Sequence, residues 1–299
     1  MANIGSVAVV GGTHGNEFTG AYLVKKFDNF PNLINRKSFK AKAILANPGA
    51  FRAERRYVEK DLNRCFTTED LFNPALNTYE DKRAKYIHRT IGYQGSSQAD
   101  FILDLHTSSA NMGLTLILVN QHIFNLQIAA YLNMIEPRLK IYSWTEAKQE
   151  TSFLNSLCEL GFSLEVGPIT PGTLRGTIFQ KTENIVHHVL DYLDKYNQGL
   201  LPAIEANLTV YQHLKTIDYP KNELGEIKAM IHPQLENRDY QKLQPGDPLF
   251  LTFEGETICY QEQEVVWPLF INEVAYYEKG IAMCFTQKTE IKIPQSIGL

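Results

Sequence analysis

The 299-residue chain has no excess of basic residues. Lys and Arg total 29 against 33 Asp and Glu, a formal net charge of -4, and no basic stripe interrupts that balance. Nucleic acid is therefore not an expected partner, because phosphate neutralisation needs clustered cations. No apolar run reaches the length of a bilayer-crossing helix, so no membrane partner is expected either. Cysteine is scarce. Cys65, Cys158, Cys259 and Cys284 form no CxxC pair, nothing suggests a disulfide framework in a chain this long, and four free thiols fit a reducing cytoplasm. The first residues, Met1 to Gly5, carry no basic n-region and no cleavable apolar stretch, so no secretory leader is expected. Internal repeats and low-complexity tracts are also missing. What remains, 44% hydrophobic and 21% charged residues, suffices for a packed core.

Two rhythms divide the chain. As far as about residue 200, short apolar runs alternate with helical periods. Strands are expected at Ser6–Val10, Lys42–Leu45, Phe101–Leu105, Leu114–Val119 and Phe162–Val166, and helices at Asn16–Phe27, Glu80–Ile91, Phe124–Met134 and Ile178–Tyr196. That order predicts an α/β sheet covered by helices on both faces. Asn197-Gln198-Gly199 and Pro202 mark a boundary. Beyond it come Thr209–Leu214, Ile227–Ile231, Pro248–Phe253, Val265–Ile271 and Ile281–Phe285, separated by turn residues such as Gly246, Gly255 and Gly280. The expected organisation is a catalytic domain over 1–200 and a smaller all-β domain over 201–299.

Chemistry concentrates in a few short segments. Gly11-Gly12-Thr13-His14-Gly15-Asn16-Glu17 follows a strand and opens a helix. Its spacing is not that of GxGxxG or GxxxxGK[ST], which argues against a nucleotide loop. His14 and Glu17 can turn toward one point, and a catalytic zinc takes three His or carboxylate ligands plus water. Alone, the segment is equally a glycine-rich turn with a capping histidine, or an anion-binding loop. His106 ends another strand, at the sheet edge where ligands collect, and Asp104 lies two residues before it on the same face, fit to orient an imidazole. The remaining histidines, His88, His122, His187, His188, His213 and His232, sit in no comparable motif. Glu165 lies in the apolar segment Phe162–Val166, where a carboxylate is costly unless paired or functional. Beside an activated water it is a natural general base. The polar loop Arg55–Arg64 offers Arg56, Asn63 and Arg64 for carboxylates or an oxyanion, with Asp61 as a partner for an arginine.

Taken in order, GGTHGNE (11–17), DLNR (61–64), DLH (104–106), EVGP (165–168) and NEVAYYEK (272–279) resemble the succinylglutamate desuccinylase/aspartoacylase family, in its aspartoacylase branch. The resemblance spans both expected domains. It implies a zinc-carboxypeptidase-like mixed sheet flanked by helices, one Zn2+ held by His14, Glu17 and His106, and hydrolysis of a small-molecule N-acyl amino acid, the type substrate being N-acetyl-L-aspartate. It implies Glu165 as general acid/base and Arg56 as the group that polarises the amide carbonyl and steadies the oxyanion. Asn63 and Arg64 match contacts to the substrate carboxylate. Tyr276 matches a tyrosine that reaches into the pocket from the C-terminal domain, which would wall the channel. One departure stands out: an arginine and a tyrosine that hold substrate carboxylates in the mammalian aspartoacylase pattern fall at Asn155 and Thr151, leaving Arg175 and Lys148 as substitute cations. An N-acyl-aromatic or N-succinyl-glutamate substrate is the alternative, a zinc carboxypeptidase a further one. The sequence leaves the oligomeric state open, a homo-oligomer included.

Overall fold

Strand β1 (Ser6–Gly11) is buried along almost its whole length, as expected of a continuous apolar run in a parallel sheet covered on both faces. It leads through the glycine-rich loop into α1 (Phe18–Asn29), then β2 (Lys40–Leu45) and the short helices α2 (Pro48–Arg52) and α3 (Thr68–Phe72). Helix α4 (Tyr79–Ile91) starts with a full capping box between Thr78 and Asp81, which satisfies two of its orphan N–H groups. Next come β3 (Phe101–Thr107), β4 (Leu114–Leu118), α5 (Ile123–Ile135), β5 (Lys140–Ser143), β6 (Gly161–Val166) and α6 (Gly176–Asn197). The last third holds β7 (Ala206–Asp218), β8 (Ala229–Ile231), β9 (Pro248–Thr252), β10 (Thr257–Cys259), β11 (Trp267–Leu269) and β12 (Ile281–Ile293). This computed structural model describes residues 3–93, 95–144, 152–201 and 206–293.

Nine strands form one sheet in the order β11-β12-β7-β5-β4-β6-β3-β1-β2, and β10-β9-β8 form a second, three-stranded sheet. The large sheet is mixed: β4 runs antiparallel to β6, while β3 and β6 are parallel. The α/β class expected from the alternating pattern is what the chain adopts. The large sheet does not stop near residue 200, however. Strand β7 pairs in parallel with β5 through Tyr142 and Tyr211, and antiparallel with β12 along its whole length.

Two strands are longer than their patterns suggested. β7 and β12 each have 13 residues. The start of β12 is buried on both faces and its end is largely exposed, so only the buried part reads as an apolar run. β5 and β10 were not expected. They have four and three residues, too few for a period to register. The main core packs α1, α5 and α6 against the sheet, with Phe27, Phe101, Phe124, Phe162 and Tyr192 among its largest buried side chains. Among the described residues no helix is long and apolar enough to cross a membrane.

Candidate active site

The end of β1 delivers His14 and Glu17 to the C-terminal edge of the sheet. Glu17 occupies the cap position of α1, yet its side chain makes no cap bond, because its carboxylate is turned onto two imidazoles. His14 Nδ1 lies 2.6 Å from Glu17 Oε1, and His106 Nδ1 lies 3.0 Å from Glu17 Oε2. Helix α1 comes this close to β3 because Gly20 faces it: a Cβ there would sit 2.7 Å from the Leu105 carbonyl oxygen. Gly15 has the same function toward α2, where a Cβ would meet the Ala50 carbonyl carbon at 2.1 Å. Its N–H donates to the Arg56 carbonyl at 3.1 Å, which fixes the arginine loop against the histidine loop.

His14, Glu17 and His106 are all buried, and one ligand atom from each lies within 4.8 Å of the others. Each imidazole uses its far nitrogen on a further carboxylate. His14 Nε2 is 3.0 Å from Asp61 Oδ1, and His106 Nε2 is 2.8 Å from Asp104 Oδ2, whose other oxygen accepts from Thr13 Oγ1 at 2.9 Å. Carboxylate-backed imidazoles turned inward on a third carboxylate are the usual surroundings of a metal. The electrostatics agree. Burial opposes charge on His106, but Asp104 and Glu17 outweigh it and hold its pKa well above the ordinary value. Burial likewise opposes ionisation of Glu17, and the two histidines overcome it. A pocket that draws a proton onto a buried imidazole has the negative potential that a dication neutralises, and the His₂Glu donor set suits zinc.

Arg56 stands at the cavity edge, its guanidinium 3.5 Å from Glu17 Oε1 and 3.1 Å from Asp61 Oδ2. Burial works against its charge, but Asp61 and Glu17 more than compensate and raise its pKa. The loop carrying it is irregular as expected, apart from a 3-10 turn over Leu62–Arg64 capped by Asp61. Asn63 Oδ1 accepts from the Leu154 backbone at 2.8 Å, so its amide nitrogen is the end left for the cavity. Glu165 is the register partner of His106 on one side and of Thr115 on the other. Burial pushes its pKa well above the usual carboxylate range, and Glu17 and Glu273 add to this while His106 and Arg56 oppose it.

Tyr276 arrives on a 3-10 turn, Val274–Lys279. Glu273, within the NEVAYYEK segment but not among the expected site residues, docks that turn. One of its oxygens accepts from the Ala275 N–H at 3.1 Å, and the other from the Ala110 N–H at 3.0 Å and from the Ser108 hydroxyl. An acidic residue just ahead of a short helical turn was its available signal.

These groups line one cavity of about 660 Å³, its open mouth included. His14, Glu17, Arg56, Asn63, Arg64, His106, Glu165 and Tyr276 all reach it. Asn155 is buried behind it, its Oδ1 3.4 Å from the Ser163 hydroxyl and its Nδ2 without a partner. Arg175 is exposed and donates to the Pro168 carbonyl, so it supplies no cavity cation. Lys148 and Thr151 lie outside the described residues.

The site is thus a buried His–Glu–His cluster at the edge of a mixed α/β sheet that a β-rich C-terminal third extends. Residues 3–193 match the succinylglutamate desuccinylase/aspartoacylase catalytic domain, and residues 206–288 the AstE/AspA barrel-sandwich hybrid domain. The chain belongs to the succinylglutamate desuccinylase/aspartoacylase family. It is 56% identical over 293 residues to a "Probable aspartoacylase" of Trichodesmium erythraeum, covering 98% of this chain and 100% of that one. It is also 41% identical over 295 residues to the human N-acyl-aromatic-L-amino acid amidohydrolase (carboxylate-forming), covering 96% and 92%. Murine aminoacylase 3 superposes with a TM-score of 0.94 at 37% identity, over 99% of each chain.

Proposed function

We propose that this protein hydrolyses the amide bond of an N-acyl amino acid with one zinc ion per chain, held by His14, Glu17 and His106. The observation that carries this reading is the buried cluster of these three side chains, each imidazole backed by its own carboxylate. When bound, zinc supplies Lewis acidity toward the acyl carbonyl and lowers the pKa of a coordinated water. Glu165, beside His106, accepts a proton from the attacking water and returns it to the departing nitrogen. A carboxyl group whose pKa burial raises is suited to both halves of that transfer. Arg56, kept charged by Asp61 and Glu17, lies against the developing oxyanion. Asn63 and Arg64 take the substrate α-carboxylate, and Tyr276 closes the cavity from the C-terminal side. That closure suits a small amide better than a polypeptide, which argues against a carboxypeptidase.

Relatives named as probable aspartoacylases point to N-acetyl-L-aspartate as the substrate. A second reading, an N-acyl-aromatic amino acid, has a specific observation in its favour: Ile117, Val119, Tyr142, Trp144, Phe153 and Phe270 line one side of the cavity. The test is hydrolysis of N-acetyl-Asp, N-acetyl-Glu, N-succinyl-Glu and N-acetyl-aromatic amino acids by the zinc-loaded protein, with metal content read by atomic absorption. We expect one zinc per chain, lost in His106→Ala, and release of free amino acid from at least one of these amides. Full zinc content in His106→Ala counts against the ligand set.

A further inference from the structure

Glu80 is a fully buried carboxylate that does not line the cavity. Such a group is costly unless its oxygens are occupied, and here both are. Oε1 accepts from the Val58 N–H at 2.7 Å and from the Asn47 amide at 3.1 Å. Oε2 accepts from the N–H groups of Glu59 at 3.0 Å and Lys60 at 3.3 Å. Three successive backbone N–H groups thus converge on one side chain, the concave arrangement that elsewhere binds free anions. Glu80 also stands in the first turn of α4, where the helix dipole favours negative charge.

The clasp is reciprocal. Glu59 accepts from the Tyr79 N–H, and Lys60 pairs with Asp81, so loop and helix start hold each other from both sides. Asn47 carries the connection to the histidine loop: its own N–H donates at 3.0 Å to the carbonyl of Gly12, two residues before His14. The pinned residues 58–60 lie between Arg56 and Asp61. The Arg56 carbonyl is held by the Gly15 N–H, and its guanidinium meets Asp61 Oδ2 at 3.1 Å. Fixing the residues between them therefore fixes how that pair closes. With it are set the approach of Arg56 to Glu17 at 3.5 Å and of Asp61 to His14 at 3.0 Å.

Resting on the reaction proposed above, we propose that Glu80 is the positioning residue of the Arg56–Asp61 pair. It touches no reacting atom, but it sets the place from which Arg56 meets the oxyanion and Asp61 orients His14. The carboxylate is needed for this, and a polar side chain of the same size is not enough. A carboxylate accepts through both oxygens, whereas an amide accepts through one and presents its own N–H groups at the other. In Glu80→Gln two of the four donors would face a further donor. Buried N–H groups left so are costly, and the loop relieves the conflict by moving. A displacement of about 1 Å, even one that starts away from the chemistry, can lower turnover by about 100-fold.

The experiment compares zinc-loaded wild type, Glu80→Gln, Glu80→Asp, Arg56→Ala and the two double variants, on the N-acyl amino acid that wild type cleaves fastest. Hydrogen exchange over residues 57–61 is read by mass spectrometry, and zinc content by atomic absorption. We expect Glu80→Gln to lower kcat by about 10- to 100-fold at full zinc content, with KM changed by less than about threefold. Glu80→Asp keeps the charge on a shorter side chain and should lose only about threefold. In the Arg56→Ala background either change should lower kcat by less than about twofold further, because residues that act as a unit are not additive. Exchange over 57–61 should quicken by about tenfold in Glu80→Gln. If the single-variant loss recurs in full without Arg56, or the Gln and Asp variants lose equally, or exchange over 57–61 is unchanged, the proposal is overturned. Should Glu80→Gln not fold, Glu80→Asp carries both the cycle and the exchange measurement. If wild type cleaves no amide while exchange over 57–61 still quickens, the proposed reaction fails and the positioning of the loop by Glu80 stands.

Discussion

One cavity has two unlike walls. The wall at β1, β3 and β6 is built of charges that hold one another: Glu17 between two histidines, Asp61 between His14 and Arg56, Asp104 between His106 and Thr13. The opposite wall is apolar, with Ile117, Tyr142, Trp144, Phe153 and Phe270 lining it and His213 of β7 packed on Trp144 and Tyr142. The first fixes where charge develops, and no member is exchangeable because each is paired to the next. The second sets shape and dielectric. The comparison separates the chemistry of the site from its choice of substrate, and each side can be attacked independently.

The largest effect should come from the carboxyl at the junction of the walls. Glu165→Gln keeps volume and burial but removes proton transfer. We expect kcat to fall by about 10²- to 10⁴-fold while metal content by atomic absorption stays at the wild-type value. Turnover close to wild type would remove Glu165 from the reaction. Next is Asp61, which touches no expected substrate atom. It holds His14 Nε2 at 3.0 Å, Arg56 at 3.1 Å and the Asn63 N–H at 2.9 Å. Asp61→Asn should weaken zinc binding by about 10- to 100-fold, read by competition with a chromogenic chelator. Equal metal affinity would show that the charged wall is less interdependent than its contacts indicate.

The two walls also differ in how far they could be read from residues alone. The charged wall was legible because its members sit in short contiguous motifs: His14 and Glu17 share one βα turn, and Asp104 and His106 one strand. Its proximity to Arg56 was not legible, since it depends on Gly15 meeting α2. The aromatic wall left no local signal. Trp144, Phe153, His213 and Phe270 come from four separate segments, and the first and third meet only through the pairing of β5 with β7. β5 itself is four residues long, and a strand that short carries no period. His213 looked like an unplaced histidine for the same reason: its partner is 69 positions away in a register that sequence spacing does not reveal.

The smallest predicted effect tests the support behind the aromatic wall. Asp239 is buried. Its Oδ1 accepts from the Ile271 N–H at 3.1 Å, next to the cavity residue Phe270, while its Oδ2 has no partner. Burial raises its pKa from 3.8 to about 6. The folded chain therefore holds this proton more tightly than the unfolded chain does. The associated stability is fully present below about pH 4 and is lost as pH rises through about 6. A shift of this size corresponds to about 3 kcal/mol at most, and remaining exposure should bring the observed value to about 1–2 kcal/mol. Asp239→Asn does not titrate, so the stability difference between wild type and variant should move against wild type by that amount between pH 4 and pH 7, measured by urea unfolding at each pH. The comparison uses a change with pH and is therefore indifferent to any fixed offset from the new amide. A constant difference would mean that Asp239 ionises normally in the folded chain, and that the aromatic wall rests on packing alone, without a buried carboxyl behind it.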